Sequence, residues 1–328
     1  MTDARPVIGL SGLGSIARQH ASAFAASGAR VIAFDPSAEL RESATTSGLV
    51  ESAVDAFEAL LDRGPDAVVI ASPDFAHLDQ LALATARGIP TLVEKPLADD
   101  YDAALAAAVG IRASGAPVLV GYVLRHRRAV ETARQLVADG AIGVPVSFQV
   151  LLGAYGTITA AQSRFATPEA NRLYRDYSHE WDYVRWILGP VSEVLAVART
   201  TPHVPHVESP NLVDGMLVLE NEIAGSFHID YVEPRGTRIL TIVGTGGTLT
   251  ADIGAGTVTV RRGGEAHDEV HSLAEAPAVP LARQAAHLLA VARGEESPRV
   301  TLDDGLAALA VTNALIRSAP TRSWVTVA

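Results

Sequence analysis

A doubly wound α/β sheet followed by an α+β half with a mostly antiparallel sheet is the architecture this sequence predicts. Three observations carry it. Short apolar runs alternate with helical patterns through residues 1–122, the repeat that builds a parallel sheet with helices on both faces. The first of those runs passes directly into Gly12-Leu13-Gly14-Ser15-Ile16-Ala17. From Glu193 onward the apolar runs lose their intervening helices and are separated by glycine turns, as in an antiparallel sheet. A chain of 328 residues also exceeds one ordinary core, which sets two domains, 1–122 and 123–328.

Composition narrows the function classes. No apolar run is long enough to span a bilayer and no basic-then-apolar leader precedes Val7, so a cytoplasmic protein without membrane contact is expected. With 37 acidic against 26 basic residues, the formal charge of −11 argues against a general nucleic-acid binder. Cysteine is absent, which excludes disulfides, thiolate nucleophiles and cysteine-ligated metals. His203 and His206 stand three apart in a loop with no third ligand in view, so no metal site is expected.

The elements follow in order. Residues 5–10 read as a buried strand, and the glycine segment opens a helix that runs through Phe24. In such a turn Gly12 permits the tight bend, Gly14 lets the amides of Ser15 and Ile16 approach a pyrophosphate, and Ala17 lets the helix lie close to the strand. Residues 30–34 form a second strand ending in Asp35, 18 residues beyond Ala17. That is the spacing of an acid that binds ribose hydroxyls, and a carboxylate there repels a 2′-phosphate, so NAD is preferred over NADP. Arg41 nearby tempers that preference. The alternative for Asp35-Pro36-Ser37 is a plain turn and helix cap. A third apolar strand at 67–71 ends in Ser72-Pro73-Asp74-Phe75-Ala76-His77, where His77 is either a surface helix residue or a group on the cofactor side. A fourth strand ends in Glu94-Lys95-Pro96. Lys95 thus falls at the carboxyl end of a parallel strand, where ligands bind such sheets. The plainer reading is a solvated charge pair in a turn. A helix over 101–114 and a strand over 118–122 complete the first domain.

In the second half, the Arg125-His126-Arg127-Arg128 cluster leads into a helix ending near 138, and a strand follows at 146–151. Helical spacing over 171–189 aligns Asp176, His179, Asp182, Tyr183 and Trp186 on one stripe, with Trp181, Val184 and Leu188 on another. A histidine with carboxylates at i−3 and i+3 is either a proton carrier or a core histidine bonded to Asp182. Upstream, Tyr155, Thr157, Arg164, Asn171, Arg172, Tyr174 and Arg175 suit recognition of a small polyhydroxylated ligand, and the arginines leave an anionic substituent open. Six strands are expected at 193–199, 212–219, 224–231, 238–243, 248–252 and 257–261, with closing helices at 281–293 and 304–318. A wide sheet with one uncovered face favours a homodimer or homotetramer.

Gly12-x-Gly14-x-x-Ala17, Ser72-Pro73-x-x-x-His77 and Glu94-Lys95-Pro96, in this order and with Gly121-Tyr122 and Arg125 after them, resemble the Gfo/Idh/MocA oxidoreductases over essentially the whole chain. The resemblance implies an N-terminal NAD(P)-binding Rossmann domain and a C-terminal substrate-binding and oligomerisation domain with an open antiparallel sheet. It also implies hydride transfer between the nicotinamide and a secondary hydroxyl or ketone of a sugar, sugar derivative or cyclitol. Carried onto this sequence, Lys95, His179 and Asp176 become catalytic, and Gly12, Gly14, Ser15, Ile16, Asp35, Ser72, Pro73, His77, Glu94 and Lys95 face the cofactor. Lys95, Arg125, Tyr155, Arg164, Arg175, Asp176 and His179 face the substrate. One departure stands out. Many members place an aspartate four residues before the histidine, where this chain has Arg175, and Asp176 lies three before. The same architecture leaves two alternatives: a reductase or lyase acting on another carbonyl with bound NAD, and a non-enzymatic dinucleotide sensor.

Overall fold

The computed structural model describes residues 5–160, 170–202 and 210–327. The chain divides into two compact units, Met1–His126 with Ala276–Leu309, and Arg127–Glu275 with Ala310–Ala328. The sequence reading places a single boundary after Tyr122. The units divide four residues later, and a C-terminal segment returns to the first.

The first unit is built from β1 (Val7–Ser11), α1 (Ser15–Ala26), β2 (Arg30–Phe34), α2 (Ala38–Thr46), β3 (Ser52–Val54), α3 (Phe57–Leu61), β4 (Ala67–Ile70), α4 (His77–Ala86), β5 (Thr91–Val93), α5 (Tyr101–Ser114) and β6 (Val118–Val120). All six strands are parallel, in the order β3-β2-β1-β4-β5-β6. The order reverses between β1 and β4, which opens a crevice at their carboxyl ends. Apolar residues on both sides of each strand explain the continuous hydrophobic runs. Val68 and Ile70 of β4 pack into one layer and Ala67 and Val69 into the other. A later helix, α10 (Ala278–Ala292), supplies Ala285, Leu288, Leu289 and Val291 to the layer that holds Ala17, Ala21 and Phe24 of α1. That packing is why the segment belongs with the first unit.

The second unit contains α6 (Arg128–Ala138), β7 (Pro145–Gly153), α7 (Tyr155–Ala160), α8 (Arg172–Asp176), α9 (His179–Leu188), β8 (Val191–Arg199), β9 (Leu212–Leu219), β10 (Ala224–Asp230), β11 (Thr237–Gly244), β12 (Gly247–Asp252), β13 (Thr257–Arg262), β14 (Glu269–Ser272) and β15 (Val325–Thr326). Helix α11 (Leu302–Thr321) begins in the first unit and ends in the second. The strands run β14-β13-β12-β11-β7-β10-β9-β8-β15, antiparallel throughout except for the β7–β10 pair. Phe148, Val150, Phe227, Ile229, Leu240 and Ile242 alternate into the core, with Trp181 of α9 edge-on to Phe227 at 5.3 Å between centroids. The residues between them, Leu151, Met216 and Val243 among others, are exposed on the opposite face. Strands β3, β14 and β15 were not anticipated. They are short, and β14 is too polar to show an apolar alternation.

Candidate active site

In the first unit the carboxyl ends of the strands gather the residues singled out above. Gly12 adopts φ +92, and a Cβ there would lie 2.7 Å from the Ala71 carbonyl oxygen, so glycine is required. Its amide donates to the Phe34 carbonyl at 2.7 Å. Gly14 is different. It is the N-cap of α1 in an extended conformation, and a Cβ built there meets nothing within 4 Å. Among the described residues no side chain caps α1, and no acid sits in its first turn, which leaves a bare helix N-terminus beside exposed Ser15 and Ile16. A pyrophosphate fits that environment, since unsatisfied amides and the helix dipole both favour an anion. Asp35 is 7% exposed and accepts from the Leu13 amide and the Ser37 amide, each at 2.8 Å. Its carboxylate therefore ties the glycine loop to the end of β2 while also shaping the turn into α2. Arg41 Nη1 donates to the carbonyls of Asp35 at 2.7 Å and Pro36 at 3.0 Å.

The lysine loop follows β5. The Lys95–Pro96 peptide is cis. Glu94 Oε2 accepts from the Lys95 amide at 3.2 Å, and Oε1 meets His20 Nε2 at 2.8 Å. Gly121 is needed beside it, because a Cβ would fall 2.8 Å from the Glu94 carboxyl carbon. Lys95 itself is half-buried. His77 is 1% exposed, with Nδ1 2.9 Å from the Pro96 carbonyl oxygen and Nε2 2.9 Å from that of Ser72. It is not a surface residue: its two nitrogens face those carbonyls and tie the loops after β4 and β5 together. The Ser72 hydroxyl is likewise turned inward, donating to Gln80 Oε1 at 2.9 Å, an oxygen that Ser11 also donates to at 2.7 Å. Pro73 starts a 3-10 turn over Asp74–Ala76 whose Phe75 is exposed.

Arg125 sits elsewhere. Its side chain is buried, with Nη2 on Asp304 at 2.9 Å and Nη1 on the Arg299 carbonyl at 3.2 Å. Burial alone would raise the pKa of Asp304, but the Arg125 guanidinium and bonds from Thr301 outweigh it and hold the carboxyl below the usual range. Its neighbour His126 is pushed down to about 3 by burial and then by Arg299, His287, Arg283 and Arg125. This network fastens the exit from β6 to the C-terminal segment.

In the second unit the single helix expected over 171–189 is two. Tyr177 closes α8 at φ −109, ψ 27, and α9 begins at His179. No glycine or proline marks the break. Instead the Tyr231 hydroxyl donates to Asp176 Oδ2 at 2.7 Å and the Tyr231 ring packs on Tyr177 at 5.4 Å, drawing the end of α8 toward the end of β10. Asp176 and His179 are thus not successive positions on one helical stripe, whereas Asp182 does follow His179 by one turn of α9. Residues 179–184 are all buried, so α9 lacks the two distinct stripes that spacing suggested. Glu180, fully buried, pairs with Arg238 Nε at 2.9 Å. Burial would lower the pKa of Arg238, but Glu180, Tyr183 and Tyr177 raise it above its ordinary value, and burial holds the Tyr183 phenol well above its own. Arg175 Nη2 donates to the Ala170 carbonyl at 3.0 Å, and Tyr155 is half-buried at the start of α7. Arg164 and the loop holding His203 and His206 lie outside the described residues. Sequence reasoning missed His20, Tyr231 and the Glu180–Arg238 pair. Only His20 left a signal, as a histidine on the buried stripe of α1.

Residues 7–122 match the oxidoreductase family with an NAD-binding Rossmann fold, and residues 130–250 match the GFO/IDH/MocA C-terminal domain. The chain belongs to the Gfo/Idh/MocA family. It is 31% identical to inositol 2-dehydrogenase 1 from Saccharopolyspora erythraea, over 95% of this chain and 93% of that protein. Identity to 1,5-anhydro-D-fructose reductase from Ensifer adhaerens is 26%, over 95% and 96%. A solved structure of scyllo-inositol dehydrogenase from Lactobacillus casei, with NAD(H) and scyllo-inositol bound, superposes with a TM-score of 0.83 at 21% identity, covering 98% and 99% of the two chains. That likeness establishes the fold of this oxidoreductase over 98% of its length.

Proposed function

We propose that this family member moves a hydride between NAD(H) and a secondary hydroxyl or ketone of a sugar, sugar derivative or cyclitol. One observation carries the assignment of its chemistry. Of the 26 lysine and arginine residues in the chain, Lys95 alone is lysine. A chain that uses arginine at every other basic position keeps an ammonium at the carboxyl end of β5. Arginine does not give up its proton, whereas an ammonium is a compact donor that can. Lys95 donates to the reacting oxygen and stabilises the negative charge that develops there, while His179 takes the hydroxyl proton on oxidation and returns it on reduction. Asp176, held by Tyr231, and Asp182 orient the proton-handling group. NAD, when bound, supplies the hydride acceptor. Gly12, Gly14 and the α1 N-terminus hold the pyrophosphate, and Asp35 the ribose hydroxyls. Because Arg41 is turned toward two backbone carbonyls, the reading favours NAD over NADP. Dehydrogenases and reductases of cyclitols and anhydrosugars among the relatives point to the same substrate class. Self-association as a homodimer or homotetramer through the uncovered sheet face belongs to this reading.

Absorbance of reduced nicotinamide across a panel of sugars and cyclitols tests it. Lys95→Ala is expected to lower turnover by about 10²–10⁴-fold while NADH still binds. Wild-type-like turnover in that variant removes the lysine from the mechanism. Silence of the wild-type protein across the panel, despite tight NADH binding, favours a bound-NAD lyase or a sensor.

A further inference from the structure

His20 has no place in the chemistry described above, yet it lies fully buried on the apolar stripe Ala17, His20, Ala21 and Phe24 of α1. An imidazole there is disfavoured unless its nitrogens are bonded. One of them is: Nε2 stands 2.8 Å from Glu94 Oε1. A carboxylate only accepts, so Nε2 carries the hydrogen. The other nitrogen, Nδ1, is buried without a hydrogen-bond partner among the described residues. An aliphatic side chain would fill the same space with no such loss. The ring is retained at a cost, and what it gains is the bond to Glu94.

Glu94 is itself 8% exposed, and its second oxygen accepts from the Lys95 amide at 3.2 Å. With His20 on one oxygen, the Lys95 amide on the other and Gly121 pressed against the carboxyl group, the orientation of this carboxylate is set from three sides. We infer that His20 is a positioning residue that acts through Glu94 to fix the backbone from which Lys95 projects. Helix α1 carries the bare N-terminus at Gly14 and, six residues on, the anchor of the lysine loop. One rigid element therefore relates the place of the cofactor phosphates to the place of the ammonium. The inference rests on the proposed role of Lys95 for its catalytic consequence, but not for its structural content.

The sole lysine makes the test direct. Growth on ¹⁵N-lysine labels one backbone amide, that of Lys95, so the protein gives a single ¹H–¹⁵N cross-peak whose position and hydrogen exchange report the bond to Glu94. His20→Leu is expected to move that cross-peak, speed its exchange by about tenfold or more and lower kcat by about tenfold. NADH affinity should stay within about threefold, because the glycine loop is untouched. His20→Gln keeps an Nε2 donor and should restore both resonance and kcat toward wild type. An unmoved cross-peak with wild-type exchange in folded His20→Leu overturns the inference, as does a His20→Gln protein no better than His20→Leu. A wild-type protein that turns over none of the panel while the His20→Leu cross-peak still moves sinks the oxidoreductase reading and leaves the positioning role standing. Should His20→Leu not fold, Glu94→Gln perturbs the same contact from the other side. An unmoved Lys95 resonance there overturns the inference equally.

Discussion

Arg125 separates a structural from a ligand-binding role more sharply than any other residue of the first unit. Arg125→Met keeps most of the stem's packing and removes the guanidinium. Breaking a buried ion pair costs about 3–5 kcal/mol when it strands the partner in the interior. Here Asp304 keeps 26% of its side-chain surface exposed and retains the Thr301 amide and hydroxyl at 2.9 and 3.0 Å, so a smaller cost, about 2–3 kcal/mol, is expected. At about 2–4 °C per kcal/mol for a domain of this size, the melting temperature at pH 7 should fall by roughly 4–12 °C. The loss should also depend on pH in a definite direction. The carboxyl of Asp304 is held below its ordinary value by Arg125, against burial, so the pair's contribution is present above the unfolded pKa and fades as pH falls through the folded one. Calorimetric melts of wild type and variant should therefore converge on acidification below about pH 4. KM for the preferred substrate should stay within about threefold, because the guanidinium is engaged by Asp304 and the Arg299 carbonyl. An unchanged melting temperature with a tenfold or larger rise in KM would refute this reasoning and return Arg125 to the substrate site.

Gly14→Val should leave the melting temperature within about 2 °C, since its Cβ meets nothing, yet weaken NADH binding by about tenfold or more by filling the space at the α1 N-terminus; fluorescence titration of NADH decides it. Tyr231→Phe removes a donor 2.7 Å from a carboxylate that is 7% exposed, which should cost about 1.5–3 kcal/mol in urea denaturation and lower kcat more than it raises KM. His126 is pushed down to about 3, so the unfolded chain binds the extra proton first; stability should begin to decline as pH falls below about 6.5, and a His126→Asn variant should show a flatter profile in thermal melts over that window.

The parts of this fold that could be read from sequence are those fixed by neighbours in the chain. The strand–glycine–helix run at 7–26 is local: Gly12 is demanded by its own φ, and an unbroken apolar run reveals β4 because both its faces are covered. The return of α10 to the first unit was not legible, since its apolar residues look the same whichever core they enter. The break between α8 and α9 escapes for a related reason. Nothing between Arg172 and Leu188 disfavours a helix strongly enough to stop it, and what stops it is Tyr231, 55 residues away, holding Asp176 by its hydroxyl and Tyr177 by its ring. That also changes what the missing aspartate four residues before His179 means. On an unbroken helix Asp176 would be turned about one residue away from the usual acid's direction. With the helix interrupted at Tyr177, its direction is set by Tyr231 and not by helical phase, so position three before the histidine no longer carries a fixed angular penalty. A tyrosine at the end of β10 and an aspartate at the end of α8 thus form a coupled pair, in which loss of either residue should abolish the effect of changing the other.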